Sequence, residues 1–327
     1  MPQYTNKYNL PLPLHLALIK NDYDKCGDYS VTEAIGPVKI GILKERHNDE
    51  IVMDSSDLMW MMRGNSMHHM AEMVTIPGAI QEQRIMFDFM GKQISMKADI
   101  IYPSEKNKGK FRLLDYKDTK VFVAKHGMIK DEWVWQDNLY RIGYERQYGI
   151  KIEALENALL LGDWKWIERY VKYAKQDENA KNKYPDIPMH IINVPIKDDD
   201  LVLEYLRERI NLIEDNKLLT DDNLPDCTLE ERWGSNDVFA VVGTKSGNAV
   251  PKGGKFIHKD EAIAFQEARW VKAEVYKQDG TLRKSTIQRG DTHIEYRKGE
   301  SKRCERGYCP VRNFCKQYIT TIRKDPF

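Results

Sequence analysis

Between Arg84 and Leu161 the sequence alternates between strand-like and helix-like patterns, and this alternation constrains the fold more than any other feature of the chain. Alternating apolar and polar residues predict strands, whereas apolar residues three and four apart predict a helix. The predicted elements are strands at 84–89, 94–102 and 111–117, a helix at 132–148 that Gly149 ends, and a strand at 152–161. Strands and helices that alternate in this way pack as a sheet covered by helices. The sequence therefore predicts an α/β fold with a mixed central sheet flanked by helices.

Length and composition narrow the class of protein. With 327 residues, 41% hydrophobic and 31% charged, the chain is long enough for two globular domains. Polar residues and a proline at 220–225 predict a boundary that separates residues 1–222 from a small α+β unit at 223–327. No apolar run approaches the roughly 20 residues of a membrane span, and prolines interrupt the apolar segment 10–19. We therefore expect a cytoplasmic protein with no membrane partner.

Charge is distributed unevenly along the chain. From Arg269 to the C-terminus there are 15 Lys and Arg residues against 7 Asp and Glu, although the net charge of the whole chain is only +1. A basic segment beside an acidic remainder suits phosphate binding by the first and divalent-metal binding by the second. A solvated charged surface would show the same asymmetry, so charge alone does not decide the function.

Two carboxylates and a lysine lie on neighbouring predicted strands. Asp99 belongs to the second strand and Asp115 to the third, where Lys117 follows two residues later and therefore projects from the same face. Hydrolysis of a phosphodiester needs carboxylate oxygens to hold Mg²⁺ or Mn²⁺ and a nearby ammonium to position water and offset charge. A D-x-K triplet alone is common by chance, so its meaning depends on the residues around it.

A methionine-rich helix precedes these strands. It starts after Asp54 and carries His68 and Glu72, which are four residues apart and share one face. An imidazole there offers a nitrogen ligand that favours Mn²⁺ over Ca²⁺. Seven methionines between Met53 and Met73 predict that this helix packs in the core. His68 is accordingly either a metal ligand or a residue of an ordinary core helix.

The predicted helix at 132–148 adds Gln136, Tyr140 and Arg141 after the carboxylates. Gln136 and Tyr140 are four residues apart, so their side chains lie on one face of the helix. They either support a site on the neighbouring strands or belong to an amphipathic helix with an aromatic core face.

Three of the five cysteines lie within twelve residues of one another, at Cys304, Cys309 and Cys315. In a chain without a secretion signal, such clustering favours metal ligation over disulfides. Cys227 or Cys26 would supply a fourth thiolate, and four thiolates suit a [4Fe–4S] cluster or a tetrahedral Zn²⁺ ion equally well.

The order of these motifs resembles a known family of nucleases. The chain contains Gly64-x-x-x-His68-x-x-x-Glu72, then Asp99, then Asp115-x-Lys117, then Gln136-x-x-x-Tyr140. This order resembles the RecB-type branch of the PD-(D/E)xK superfamily, which includes CRISPR-associated iron–sulfur exonucleases and phage-encoded relatives. Residues 30–47 and 225–233 look like the phage members in particular. The resemblance covers about residues 10–318 and implies a restriction-endonuclease-like core.

The resemblance implies a role for each matching residue. His68, Asp99 and Asp115 would bind Mg²⁺ or Mn²⁺, with the Tyr116 carbonyl completing the shell, and Lys117 would be the catalytic lysine together with the two aspartates. The remaining matches are Glu72, which would act beside the ligands or on a second ion, and Gln136, Tyr140 and Arg141, which would contact DNA or support the site.

The cysteine segment resembles the C-terminal iron–sulfur segment of the same nucleases. The gap of five residues before Cys315 and the proline after Cys309 match the family, whereas the first gap holds four residues instead of two. The position of Cys227 agrees with phage-type relatives better than that of Cys26, so we expect a [4Fe–4S] cluster on Cys227, Cys304, Cys309 and Cys315, with Zn²⁺ as the alternative.

The function expected from these features is metal-dependent cleavage of DNA, exonucleolytic and directed at single-stranded or free ends, in DNA processing or recombination. Two alternatives remain open on the sequence. A structure-specific endonuclease would share the site but cut circular DNA, and a non-catalytic zinc protein would bind nucleic acid through its basic segment.

Overall fold

The computed structural model describes residues 2–20, 26–175, 183–244, 247–250, 254–268, 275–276, 282–283 and 292–322. The chain forms two compact units, Met1–Pro225 and Asp226–Phe327. Their boundary falls a few residues after the predicted one between 222 and 223. The first unit is α/β, as the sequence predicted, and it contains all the carboxylate and lysine residues considered above.

The first unit combines three sheets with helices on their faces. Its strands are β1 (Gln3–Thr5), β2 (Tyr29–Ser30), β3 (Val52–Asp54), β4 (Ile80–Gln81), β5 (Arg84–Phe89), β6 (Lys92–Lys97), β7 (Ile100–Pro103), β8 (Phe111–Thr119), β9 (Ile152–Leu161) and β10 (Met189–Val194). The central sheet has the order β10-β9-β8-β7-β4, a second sheet has the order β2-β6-β5, and β1 pairs with β3. Because β8 and β9 run parallel while the other pairs of the central sheet are antiparallel, this sheet is mixed.

The helices of the first unit begin and end largely where local sequence signals place them. They are α1 (Leu12–Ile19), α2 (Val31–Ile35), α3 (Val38–Arg46), α4 (Met59–Glu72), α5 (Val121–Lys125), α6 (Asp131–Tyr148) and α7 (Asp199–Lys217). Ser30 and Glu33 form the capping box that starts α2, and Gly149 ends α6 in the left-handed conformation at φ 63°. None of the helices in the described ranges is both long and apolar enough to cross a membrane.

One predicted strand is in fact two strands in different sheets. Residues 94–102 were expected to form a single strand, but β6 ends at Lys97 in the second sheet and β7 begins at Ile100 in the central sheet. At the break, the buried amide of Ala98 donates to the Tyr144 hydroxyl at 3.0 Å. The Asp99 carbonyl accepts from the Glu82 amide at 3.0 Å. The chain therefore changes sheets at Asp99.

The prediction that the methionine-rich helix packs in the core is wrong. None of the residues described in α4 is buried, and five methionines in or beside the helix are exposed, namely Met59, Met61, Met62, Met70 and Met73. Methionine is apolar and flexible, so it predicts contact with apolar surface but does not tell a core from the wall of an open cavity.

The core of the first unit lies between the central sheet and α6. Trp133 at the start of α6 packs in a cluster of buried residues with Leu159 and Leu161 of β9, and Leu139 and Ile142 of the same helix are fully buried. This helix thereby brings the face that carries Gln136 and Tyr140 to the carboxylate-bearing strands.

The second unit is a small α+β structure. Its elements are β11 (Val238–Gly243), β12 (Lys255–Phe256), α8 (Lys259–Ala268), β13 (Val275–Tyr276), β14 (Leu282–Arg283), β15 (Thr292–Arg297) and α9 (Lys302–Glu305). The sheet order is β12-β11-β15, and β13 pairs with β14. The sequence also predicts a helix at about 259–275, followed by a basic hairpin. The helix is observed to Ala268, residues 269–274 lie outside the described residues, and Val275 begins β13, which pairs with β14.

Candidate active site

Two strands of the central sheet bring Asp99 and Asp115 side by side. In the antiparallel pair of β7 and β8, Ile100 lies opposite Leu114, so the residues on either side of this pair, Asp99 and Asp115, are also neighbours. The Tyr116 amide donates to Asp99 Oδ2 at 2.6 Å. Asp99 therefore sits where β7 begins, with one carboxylate oxygen fixed to β8.

A group of potential metal ligands forms around Asp99. His68 Nδ1 lies 3.2 Å from Asp99 Oδ1 and 3.4 Å from Glu82 Oε1. Among the described residues, these three are the group whose ligand atoms all lie within 4.8 Å of one another. Two carboxylates and an imidazole suit Mg²⁺ or Mn²⁺. The donor set thus fits the metal expected from the sequence.

The negative charges of Asp99 and Glu82 are balanced by a proton on His68 and by the Lys97 ammonium. Hydrogen bonding to Asp99 and then to Glu82 raises the pKa of His68 to about 10. Burial raises the pKa of Glu82, but its bonds with His68 and Lys97 outweigh burial, so the net shift is downward. The imidazolium proton therefore sits between the two carboxylates, where a cation is favoured. A metal ion would have to displace that proton.

Sequence reasoning missed Glu82. It lies in the loop between β4 and β5, in no short motif, and its backbone has φ 49°. A non-glycine residue in this conformation is uncommon and is found preferentially at functional sites. Only the folded loop, held by the bond from the Glu82 amide to the Asp99 carbonyl, brings this carboxylate to His68.

Beside the ligand group, a chain of hydrogen bonds holds Lys117. Its Nζ lies 2.5 Å from Asp115 Oδ2 and donates to Gln136 Oε1 at 2.7 Å. Gln136 Nε2 in turn donates to the Tyr140 hydroxyl at 3.1 Å. The structure therefore brings together Asp115, Lys117, Gln136 and Tyr140, and it assigns the last two a supporting position behind the lysine.

Asp115 is buried, at 3% exposure, and this changes its chemistry. Burial raises its pKa to about 6, and the pull of the Lys117 ammonium offsets burial only in part. Burial lowers the pKa of Lys117, but the charges of Asp115 and then Asp137 outweigh it, so Lys117 stays an ammonium ion. The pair therefore combines a charged lysine with a carboxylate that exchanges its proton near neutral pH.

A second buried carboxylate lies behind this pair. Asp137 is fully buried on α6, and its Oδ2 accepts from Asn157 Nδ2 at 2.7 Å. Asn157 lies next to Asp115 in the register of β8 and β9. Burial, and then the charge of Asp115, raises the pKa of Asp137 well above its ordinary value. The sequence gives no motif for Asp137 and Asn157. In the structure, the charge of Asp137 helps to raise the pKa of Lys117.

Three further residues predicted for the site make the following contacts. Glu72 is nearest to His69 Nδ1 at 3.6 Å and Lys97 Nζ at 4.0 Å, and it is not part of the ligand group. Arg141 is 1% exposed and bonds Glu145, the Lys197 carbonyl and Asp199, so its guanidinium ties α6 to the start of α7 and is not free for DNA. Tyr116 contributes its amide to Asp99, and its ring lies edge-on to His68.

A cavity of about 660 Å³ in the first unit reaches the same residues. Its wall includes Lys97 and Tyr140, both of which bond members of the site. Further along, apolar side chains of α1 and α4 face the polar and basic side chains of β5 and β6. These lining residues include Leu14, Leu18, Met61, Met62, Arg84 and Ser95. Two exposed methionines of α4, Met61 and Met62, thus line a cavity of the size that small-ligand sites have, about 300–1,000 Å³.

In the second unit, four cysteines are buried and reduced. They are Cys227, Cys304, Cys309 and Cys315. Burial, and then the neighbouring thiols, raises the pKa of Cys304 to about 11. Gln317 bonds both the amide and the carbonyl of Cys227, each at 3.0 Å, which ties the remote cysteine segment to the C-terminal one. Cys26 belongs to the first unit and is only half-buried.

The spacing of these sulfur atoms bears on the metal they fit. Four sulfurs at about 2.3 Å from one Zn²⁺ ion would lie about 3.8 Å from one another. No three of the four cysteines, all of which are described, have sulfurs within 4.8 Å of one another. The thiolates of a [4Fe–4S] cluster bind four different irons and are therefore more widely spaced. By ligand identity, four thiolates suit either group.

Comparison with known proteins adds little to this geometry. No family model matches the chain, and no curated protein matches it significantly. One solved structure, that of SSO0001, is similar over 61% of this chain and 80% of its own length, with 15% sequence identity and a TM-score of 0.37. A similarity this weak identifies neither the fold nor the function.

Proposed function

We propose that the protein is a Mg²⁺- or Mn²⁺-dependent nuclease that hydrolyses phosphodiester bonds in DNA. The observation that carries this proposal is the convergence of His68, Glu82 and Asp99 beside the Asp115–Lys117 pair. Metal ligands beside an ammonium ion are what hydrolysis of a phosphodiester requires. The resemblance to the PD-(D/E)xK nucleases supports the choice of DNA.

Each side chain has a part in this chemistry. A divalent ion held by His68, Glu82 and Asp99 would polarise the scissile phosphate and lower the pKa of a bound water. Lys117 places a fixed positive charge against the developing negative charge, and Gln136 holds it there. Asp115, with a pKa of about 6, accepts or returns a proton near neutral pH.

The cavity beside the site supports a substrate with a free single-stranded end. Its volume of about 660 Å³ is that of a small-ligand pocket and leaves no room for a duplex. Arg84 and Lys97 offer positive charge for phosphates, whereas Leu14, Leu18 and Met61 offer apolar contacts for a base. We infer that the terminal nucleotides of one strand enter there, which makes the enzyme an exonuclease.

The four buried cysteines support a structural [4Fe–4S] cluster in the second unit. Buried thiols whose pKa is raised by burial ionise only when a cation compensates their charge, and metal binding supplies one. Such a cluster would join the segment at Cys227 to residues 304–315 and need not take part in electron transfer. Cysteines held for metal binding instead of disulfides also agree with a cytoplasmic protein.

One experiment tests the nuclease proposal directly. Protein purified without oxygen is incubated with Mn²⁺ and offered linear and circular DNA, each single- and double-stranded. Cleavage of linear single strands that spares circles is the expected result. Cleavage of circles would indicate an endonuclease. If no DNA is cut with either Mn²⁺ or Mg²⁺, the proposal fails.

A further inference from the structure

Two exposed aromatic rings meet beside the cysteines of the second unit. Trp233 is 49% exposed and Tyr308 is 50% exposed, and their ring centroids lie 5.5 Å apart. Trp233 follows the Cys227 segment, whereas Tyr308 lies between Cys304 and Cys309. Large aromatic rings normally contribute by burial, and this pair leaves half of its surface in water. Its position suggests contact with a ligand.

Trp233 is held in a backbone conformation that its side chain disfavours. Its φ is 50°, in the left-handed region that bulky residues rarely adopt. The Trp233 amide donates to the Glu230 carbonyl at 2.8 Å, and the Gly234 amide to the Leu229 carbonyl at 2.7 Å, so the turn is fixed on both sides. Strain of this kind persists where the surroundings impose it, and it is concentrated at functional sites.

Arg303 fixes the orientation of the Trp233 ring. Its guanidinium carbon lies 4.9 Å from the ring centroid, which is a cation–π contact. Arg303 Nη1 also donates to the Glu231 carbonyl at 3.0 Å, so the guanidinium cannot move away freely. A ring that is already oriented loses little freedom when it binds a planar ligand.

The surroundings of the pair are basic. Between Arg297 and Lys316 there are seven Lys and Arg residues and two Glu residues. The side chains of Lys302 and Arg306 are 50% and 58% exposed, and their pairs with Glu300, at 3.8 and 3.4 Å, are surface pairs that exchange readily for phosphates.

Two acidic side chains precede the tryptophan, at Glu230 and Glu231. The Glu231 carboxylate accepts from the Thr228 amide at 2.8 Å and is occupied in holding the turn. Exposed aromatic rings with exposed cations beside them form the combination that recognises unpaired bases and their phosphates.

We propose that Trp233 and Tyr308 form a stacking platform for the bases of single-stranded DNA, with Lys302 and Arg306 contacting the phosphates. Stacking on aromatic rings accepts any base, so the platform binds without sequence preference. The choice of DNA over RNA rests on the proposed nuclease function, whereas the platform itself rests on the geometry of the second unit. It is separate from the ligand group of the first unit, and it gives the basic C-terminal region a binding role.

Binding without cleavage tests the platform. The full chain, purified without oxygen, is titrated against a fluorescent oligo-dT strand in buffer without divalent cations. Trp233→Gly removes the ring and also places the residue best suited to φ 50° there, so its thermal unfolding should stay close to wild type. Its dissociation constant should rise about tenfold, as expected for the loss of one base stack. Trp233→Phe and Tyr308→Phe keep a stacking face and should bind within about threefold of wild type.

The first unit supplies a matched control. Trp166 and Tyr170 are also exposed, with centroids 5.2 Å apart and Arg169 over the Tyr170 ring. They are four residues apart on one helical turn, so their pairing follows from local structure alone. The double variant Trp166→Ala/Tyr170→Ala should bind oligo-dT as wild type does. Equal losses in this variant and in Trp233→Gly would overturn the platform.

The remaining outcomes separate the platform from the nuclease. Unchanged oligo-dT affinity in both Trp233→Gly and Tyr308→Ala would overturn the platform, even if the wild type cuts DNA. Affinity that depends on Trp233 in a protein that cuts no DNA would keep the platform and overturn the nuclease. Duplex DNA of the same length should bind Trp233→Gly and wild type equally, because its bases are already stacked.

Discussion

The Tyr116 amide donates a 2.6 Å hydrogen bond to Asp99 Oδ2. This bond fixes one oxygen of the carboxylate to β8, while Oδ1 faces His68 at 3.2 Å. Because the chain changes sheets at Asp99, the carboxylate is held by the backbone of one strand and the start of another. The sheet itself therefore orients the ligand oxygen before any metal binds, which is how effective metal sites are built.

Replacing Asp115 by Asn should abolish cleavage and at the same time stabilise the fold. The pKa of Asp115 is raised from 3.8 to about 6, so the folded state holds its proton more tightly than the unfolded state and the ionised form weakens folding at pH 7. The shift corresponds to at most about 3 kcal/mol, and loss of the bond to Lys117 reduces the gain to on the order of 1 kcal/mol. Urea unfolding without divalent cations measures this gain in the free energy of unfolding.

The pH dependence provides the control for Asp115. The difference between Asp115→Asn and wild type should be present above pH 6 and vanish as the pH falls through about 4, where the carboxyl is protonated in both states. An Asn variant that is less stable than wild type at pH 7 would show that the lysine pair, not burial, dominates at this position.

Replacing Lys117 by Ala should lower the turnover number by a factor on the order of 10²–10⁴, as expected when a group that positions or deprotonates water is lost. DNA affinity, measured without divalent cations, should change far less, because Lys117 is half-buried and bonded to Asp115 and Gln136. Lys110→Ala, which removes an exposed lysine paired with Glu153, is the matched control and should be as active as wild type. A Lys117→Ala variant that loses DNA affinity but keeps its turnover number would show that the lysine contacts a phosphate instead.

Much of the fold could be predicted because its signals are local. The capping box at Ser30, the left-handed Gly149 and the ten-residue strand β9 are encoded in residues next to one another. The split of 94–102 into two strands could not be predicted, because no glycine or proline within these residues marks the break. What separates them is the hydrogen bond from Ala98 to the Tyr144 hydroxyl, between residues far apart in the sequence.

The candidate site could likewise be predicted only where its signals are local. Asp99, Asp115 and Lys117 could be proposed from their spacing on strands, and the structure places them together. Glu82 could not, because its place beside His68 depends on a loop that closes against Asp99. Asp137 likewise carries no motif, since a single acidic residue in a helix is ordinary until its burial is known.

The stability of the metal-free protein should depend on His68 above neutral pH. Its pKa is raised from 6.5 to about 10 by Asp99 and Glu82, so the folded state binds the proton more tightly. The resulting stabilisation is fully present below pH 6.5 and is lost as the pH rises through 10. Urea unfolding at several pH values should therefore show a free energy of unfolding that declines with rising pH for wild type but not for His68→Gln.

Metal should reverse this dependence. Because Mn²⁺ competes with the proton on His68, its stabilising effect should increase from pH 6 to pH 9, and His68→Gln should weaken Mn²⁺ binding at every pH. Isothermal titration of Mn²⁺ measures both effects. Affinity for Mn²⁺ that is unchanged in His68→Gln would remove the histidine from the ligand group.

The cysteines of the second unit should bind iron. Protein purified without oxygen should be brown and absorb at about 400 nm through thiolate-to-iron charge transfer. Cys227→Ser should lose the metal and become sensitive to protease in the second unit, because ligand binding and local folding are one equilibrium. The Cys227 amide and carbonyl both bond the Gln317 side chain, so the segment around Cys227 is held against the C-terminal one. Metal analysis and limited proteolysis measure the two effects.

Cys26→Ser is the matched control for Cys227→Ser, because Cys26 is half-buried and belongs to the first unit. It should keep both iron and protease resistance. Colourless protein with one zinc per chain would overturn the cluster, and metal loss in Cys26→Ser but not in Cys227→Ser would overturn the ligand set.

Asp115→Asn separates the two sites, since it should keep the colour and lose cleavage. Cys309→Ser should lose the colour, while the Mn²⁺ affinity of the first unit stays unchanged, because none of the residues in its ligand group comes from the second unit.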